Sequence, residues 1–70
     1  MRNRTSSHDG EREEWFGIAE LARRLDVSED LIRRKVQRHE VPYYKVGKLI
    51  RFNSNEIRQW LTSVRVDPMF

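Results

Sequence analysis

The stretch Ser28 to Arg38 reads SEDLIRRKVQR, and its reading decides the fold. Ser28 is a helix N-cap, because a serine hydroxyl can accept one of the backbone N–H groups that the first helical turn leaves unpaired. Glu29 and Asp30 follow it, where negative charge favours the positive end of the helix dipole. On a 100° wheel Ile32 and Val36 lie on one side with Leu31 beside them. Asp30, Arg34, Gln37 and Arg38 gather opposite, with Arg33 on one shoulder. The pattern predicts an amphipathic helix whose outward face is basic.

Upstream, Ile18, Leu21, Ala22 and Leu25 recur at helical spacing and predict a first helix beginning near Ile18. Gly17 is its N-cap, and Glu20 stands where a capping-box glutamate would reach back. The helix stops near Leu25 to Asp26, since aspartate tolerates a left-handed turn, and Val27 then points inward. Two short amphipathic helices joined by a turn of three or four residues form a helix-turn-helix, whose second helix enters the major groove of DNA.

Downstream, Pro42 ends the helical pattern and biases Val41 toward extended backbone. Tyr44 and Val46 are expected to share a face with Ile50 and Phe52 across a two-residue type II′ turn at Gly47-Lys48. Lys45, Lys48 and Arg51 then fall on the other face or the tip. A basic hairpin in this place is a wing that lies along phosphates or in the minor groove. Asn53 caps a third helix, Glu56 completes a capping box, and Phe52 and Ile57 form a hydrophobic staple. Ile57, Trp60, Leu61 and Val64 make the stripe that packs on the domain. The expected fold class is therefore mainly α with a small β-hairpin, a winged helix-turn-helix of helix, recognition helix, two-stranded wing and C-terminal helix.

Composition narrows the rest. Seventy residues make one small domain, since a chain of this size buries only about 60% of the surface it exposes when unfolded. Residues 1–14 hold a single apolar residue, Met1, and read as a disordered arm; residues 15–64 form the domain and 65–70 a short tail. The absence of cysteine gives the chain no reason to occupy an oxidising compartment. No window reaches the roughly 18 apolar residues of a membrane span. A reducing cytoplasm is the expected setting, beside the nucleoid of a bacterium or phage-infected cell. Two histidines, His8 and His39, and three scattered glycines offer neither a zinc set nor a phosphate loop. No cofactor, no metal and no enzymatic activity are expected. The net charge is +3 and the isoelectric point about 9.8. Residues 33–51 concentrate that charge: Arg33, Arg34, Lys35, Arg38, Lys45, Lys48 and Arg51 stand against Glu40 alone. Such a footprint points to nucleic acid.

The span Trp15 to Leu61 resembles the excisionase-type, MerR-like winged helix-turn-helix domain of bacteria and their phages. The resemblance runs through Glu20-Leu21-Ala22, Leu25-Asp26-Val27-Ser28, Val41-Pro42-Tyr43-Tyr44-Lys45-Val46-Gly47-Lys48, Arg51-Phe52 and Trp60-Leu61. It implies that the second helix reads DNA and the wing touches its backbone, through Arg33, Arg34, Gln37, Lys45, Lys48 and Arg51. Arg38, on the basic face of the second helix, joins them. Three positions depart from the family pattern: Gly17 for Ser or Thr, Asp26 for Gly, and His39 for the Gly that ends the recognition helix. A left-handed non-glycine residue costs of order 1 kcal/mol.

Trp15, Trp60, Tyr44 and Phe52 read as core, because a small domain relies on its large aromatics. Arg23, Arg24 and Arg58 read equally as solvated helix surface or phosphate contacts and are not counted in the site, Ser28 and Ser54 read as caps, and His39 as a helix-end residue. Three functions follow. The first is an excisionase, or recombination directionality factor, that binds and bends attachment-site DNA beside an integrase, with copies associating head to tail. The second is a small transcriptional regulator with the same domain, and the third a basic adaptor for an acidic protein surface. MerR-type regulators carry a long dimerisation helix after the wing, whereas nine residues follow Leu61, which favours the first. The apolar Val64, Val66, Met69 and Phe70 of that tail dock on an integrase or a neighbouring copy, or pack on their own domain.

Overall fold

The computed structural model describes residues 13–68. Its elements are β1 (Trp15–Phe16), α1 (Ile18–Leu25), α2 (Glu29–Gln37), β2 (Tyr44–Val46), β3 (Leu49–Asn53) and α3 (Ser54–Ser63). The three strands form an antiparallel sheet in the order β1-β3-β2. Helix pair, hairpin and closing helix make a winged helix-turn-helix, as the sequence pattern predicts. β1 was not foreseen, since two residues are too few to display alternation.

Both helices of the helix-turn-helix end by one device. After α1 the Asp26 N–H bonds the Arg23 carbonyl and the Val27 N–H the Ala22 carbonyl; after α2 the His39 N–H bonds Val36 and the Glu40 N–H bonds Lys35. These are paired Schellman closures, which need a left-handed residue at the bend. Asp26 supplies it at φ 58° and His39 at φ 57°, in line with the strain the sequence implies there. At α2 the expected cap forms, with Ser28 Oγ accepting from Leu31 N at 3.1 Å.

The core gathers Phe16, Leu21, Ala22, Ile32, Val41, Phe52 and Ile57, with Ile18, Leu25, Leu31, Val36, Tyr43, Ile50 and Trp60 packed against it. Phe52 is 0% exposed, and truncating such a residue costs about 3–5 kcal/mol. Trp60 anchors the chain beyond α2, donating from Nε1 to the Glu40 carbonyl at 2.8 Å.

Several expectations are corrected. Tyr44 pairs with Arg51, Lys45 with Ile50 and Val46 with Leu49. Cross-strand partners share a face, so Tyr44 and Val46 lie with Leu49 and Arg51, and it is Lys45 that lies with Ile50 and Phe52. The turn itself is as expected, with positive φ at Gly47 (64°) and not at Lys48. Trp15 and Tyr44 are exposed, stacked edge to face at 5.0 Å on the outer side of the sheet, rather than buried. Val27, Leu61 and Val64 are exposed too; the apolar contacts of α3 with the core come from Ile57 and Trp60.

The two capping boxes also stay open. Gly17 caps α1 without a side-chain bond, and Glu20 instead binds Arg23 Nη2 at 2.6 Å and Arg24 Nε at 2.8 Å. Asn53 does cap α3, its Oδ1 accepting from Asn55 N and Glu56 N. The Glu56 carboxylate takes the Tyr44 hydroxyl at 2.6 Å. Ser54 is no cap: its Oγ accepts from Glu14 N, and its own N–H donates to the Glu14 carbonyl. Asn53 Nδ2 donates to the Glu13 carboxylate. Glu13 and Glu14 are thus fastened to the start of α3, while the remainder of the expected arm, residues 1–12, lies outside the described residues, as do Met69 and Phe70.

Arg24 completes this N-terminal clamp. Its guanidinium lies 4.1 Å from the centre of the Phe16 ring and reaches Glu14 at 3.0 Å as well as Glu20. Hydrogen bonds from Arg23 and then Arg24 push the Glu20 carboxyl down from its ordinary value near 4.5 to about 2. A depressed folded-state pKa means stability that is present above pH 4.5 and lost as pH falls toward 2. The pair is exposed, so the effect is small and salt-sensitive. Melting temperatures of the wild type and Glu20→Gln should therefore differ by a constant amount above pH 5 and converge on acidification, whereas a difference that ignores pH would show that charge is not the cause.

The left-handed helix ends give a second test. Asp26→Gly and His39→Gly should each raise stability by about 0.5–1 kcal/mol, read as a higher melting temperature, and the gains should add in the double variant. The His39 gain is the smaller, because its ring stacks on Tyr43 with Nδ1 3.3 Å from the hydroxyl.

Candidate nucleic-acid interface

α2 offers its outward side without obstruction. Ile32 turns into the core, and the line diametrically opposite it runs through Asp30, Arg34 and Gln37, at spacings of four and three residues. All three are exposed, as are Arg33 and Arg38 on the flanks. The Asp30 side chain is 85% exposed. Arg34, Gln37 and Arg38 have no side-chain partner among the described residues.

Arg33 differs. Its Nη2 lies 3.0 Å from Glu29 and its Nη1 3.6 Å from Asp30, so the residue is drawn back toward the start of the helix by acids three and four positions earlier. The two acids that favour the helix dipole thereby hold one of its cations. Lys35, half-buried, pairs with Glu40 at 3.4 Å.

The wing divides its cations in the same way. Lys45 and Lys48 are exposed, with no partner among the described residues. Lys45 shares its face with Phe52, and that is the side on which α1 packs, so it looks toward the helix pair. Arg51 lies on the opposite face and is half-buried, donating from Nη1 to the Ile50 carbonyl at 2.8 Å. A Cβ at Gly17 would stand 3.0 Å from that Nη1. A side chain at Gly17, where the family pattern has Ser or Thr, would therefore crowd the Arg51 head and require it to shift.

Of the seven residues nominated from sequence, Arg34, Gln37, Arg38, Lys45 and Lys48 thus stand free in solvent, and Arg33 and Arg51 are held by the protein. Sequence reasoning overlooked Asp30, which lies on the central line of the helix. The wheel showed it there, but it was read only as a residue that favours the helix dipole. Arg23, Arg24 and Arg58 are occupied, the last with Asn55 at 2.9 Å.

The helix-turn-helix domain family matches residues 15–65, from β1 through the end of α3. The chain belongs to this family. Helix-turn-helix domains are DNA-binding domains, so membership supports binding of double-stranded DNA. No curated protein and no solved structure matches the chain. No helix among the described residues is long and apolar enough to cross a membrane.

Proposed function

We propose that the chain is a sequence-specific duplex-DNA-binding protein in which α2 reads the major groove and the wing holds the backbone. The observation that carries this reading is the exposed line Asp30, Arg34 and Gln37 on the outer side of α2, in which Arg34 and Gln37 have no side-chain partner among the described residues and Asp30 only an exposed ion pair with Arg33, continued by Arg38 and the wing lysines. Each member has a base-edge partner. Arg34 suits the two acceptors of guanine, Gln37 the acceptor and donor of adenine, and Asp30 the amino group of cytosine. The carboxylate contributes by exclusion as well, since it repels bases that present only acceptors at its position. Arg38, Lys45 and Lys48 neutralise phosphates and fix the register.

Within that reading the chain acts as an excisionase, a recombination directionality factor that binds and bends attachment-site DNA to favour excision by an integrase. The resemblance through Glu20-Leu21-Ala22 and Val41 to Arg51 supports it. So does a limit on information: one helix covers a few base pairs at roughly 1–3 kcal/mol each, too little to find one genomic site unaided. Neighbouring copies in head-to-tail order, or an integrase sharing the DNA, supply effective concentration without further base contacts. The second reading is a small transcriptional regulator using the same surface; stimulation of integrase-mediated excision separates the two.

If about five phosphates are neutralised, log K against log salt should have a slope near −4 to −5; a flat dependence would end the DNA reading. Arg34→Ala should cost about 1–3 kcal/mol on a selected site and relax specificity at one base pair. Lys48→Ala should weaken selected and random duplexes alike, as a phosphate contact does. Equal losses on both duplexes for Arg34→Ala would move the base reader elsewhere.

A further inference from the structure

The wing tip carries a feature that phosphate contact does not explain. Val46 and Leu49 are direct cross-strand partners in the last pair before the turn, so their side chains leave one face side by side. They are 60% and 55% exposed, and no core residue covers them. Between them the turn is slim: nothing lies within 4 Å of where a Cβ on Gly47 would stand. Lys45 and Lys48 flank the pair in sequence, both without partners among the described residues. Further along the same face the character changes, because Tyr44 is engaged with Trp15 and with the Glu56 carboxylate.

We propose that the Val46–Leu49 pair is an apolar wedge that enters the minor groove and partly unstacks one base step, kinking the duplex. The proposal rests on the duplex-binding reading above and adds to it a deforming element at the tip of the wing. The occupant follows from charge. A protein surface apolar enough to cover Val46 and Leu49 would have to desolvate Lys48 at the turn beside them, whereas the minor groove sets two walls of phosphate around base steps that expose apolar base faces when parted. Valine and leucine cannot hydrogen-bond base edges; what they gain is removal from water between parted bases, as the lysines close on the phosphates. Glu56, beyond Tyr44, limits the depth, since a carboxylate is repelled by the backbone. The wedge also selects sequence without contacting a base edge, because pyrimidine–purine steps part most readily.

The test uses the full chain and a duplex recovered from a randomised pool with the wild type, labelled at its ends for energy transfer and carrying 2-aminopurine at successive positions. Wild type should bend the duplex by roughly 20–90° and brighten 2-aminopurine at one step. The double variant Val46→Thr/Leu49→Thr places β-branched residues, which favour strands, at both positions. It should retain salt-dependent binding while losing most of the bend and the brightening. Leu49→Met, still apolar, should keep both. Lys48→Ala should weaken binding without altering the bend of the duplex that remains bound. A wild type that binds a straight duplex, or a threonine variant that bends it equally, overturns the wedge and leaves the DNA reading standing. Loss of cooperativity between copies with the single-copy bend intact would assign the pair to a protein contact and likewise overturn the wedge. No salt-dependent binding by wild type would instead remove the DNA reading itself.

Discussion

The structure turns on the burial of Phe52 near the end of the middle strand. Its ring lies 6.2 Å from that of Phe16, its partner on β1, and it packs in the same cluster as Leu21 of α1 and Ile57 of α3. The residue after it is the N-cap of α3. Strand register, the seat of the first helix and the start of the last are therefore set by one side chain. A slip of one residue would carry Phe52 to the solvent side and every wing residue to the opposite face. Losing such a ring costs about 3–5 kcal/mol, comparable with the whole stability of a chain this size at roughly 0.05–0.15 kcal/mol per residue.

The two cations held by the protein are held with unequal strength. Arg33 is in exposed ion pairs with Glu29 and Asp30, and such pairs contribute about 0–1 kcal/mol. A phosphate or a guanine edge can outbid them, so the tether is a resting position. Arg51 is half-buried, bonded to a backbone carbonyl and close to Gly17. Arg33 is consequently the easier of the two to release.

Helix positions were legible from the sequence because each is marked locally, by Ser28, by Pro42, by Asn53 and by apolar residues at helical spacing. The left-handed ends at Asp26 and His39 were legible for the same reason. Strand faces were not. Alternation places Tyr44 with Val46 and Ile50 with Phe52, but which pair faces the core is decided by a turn that sets Val46 against Leu49. Long-range polar choices were equally hidden. Glu20 and Glu56 occupy capping-box positions, and both are taken by better partners, a pair of arginines for one and the Tyr44 hydroxyl for the other. Ser54 is claimed by Glu14, forty residues away. The exposed face of α2 was legible, because facing follows from helical geometry, whereas the faces taken by Val46 and Arg51 were not, because they follow from register.

The placement of strain has a functional sense. α2 is the one element bracketed by two left-handed non-glycine residues, Asp26 before it and His39 after it. Each closure uses two backbone hydrogen bonds to fix the angle at which the chain leaves a helix. The bend after α1 sets α2 against its partner, and the bend after α2 delivers the chain to Val41 in the core and to the wing. Helix and wing are thus oriented by backbone geometry at their two ends, and their outer side chains are left for solvent and ligand. A glycine at either bend would form the same turn more cheaply but with more backbone freedom in the unfolded chain and in the turn itself. On the proposed reading, a surface that presents Arg34 and Lys48 to one duplex at once gains from the stiffer residue, at a cost in stability that the Phe52 core sustains.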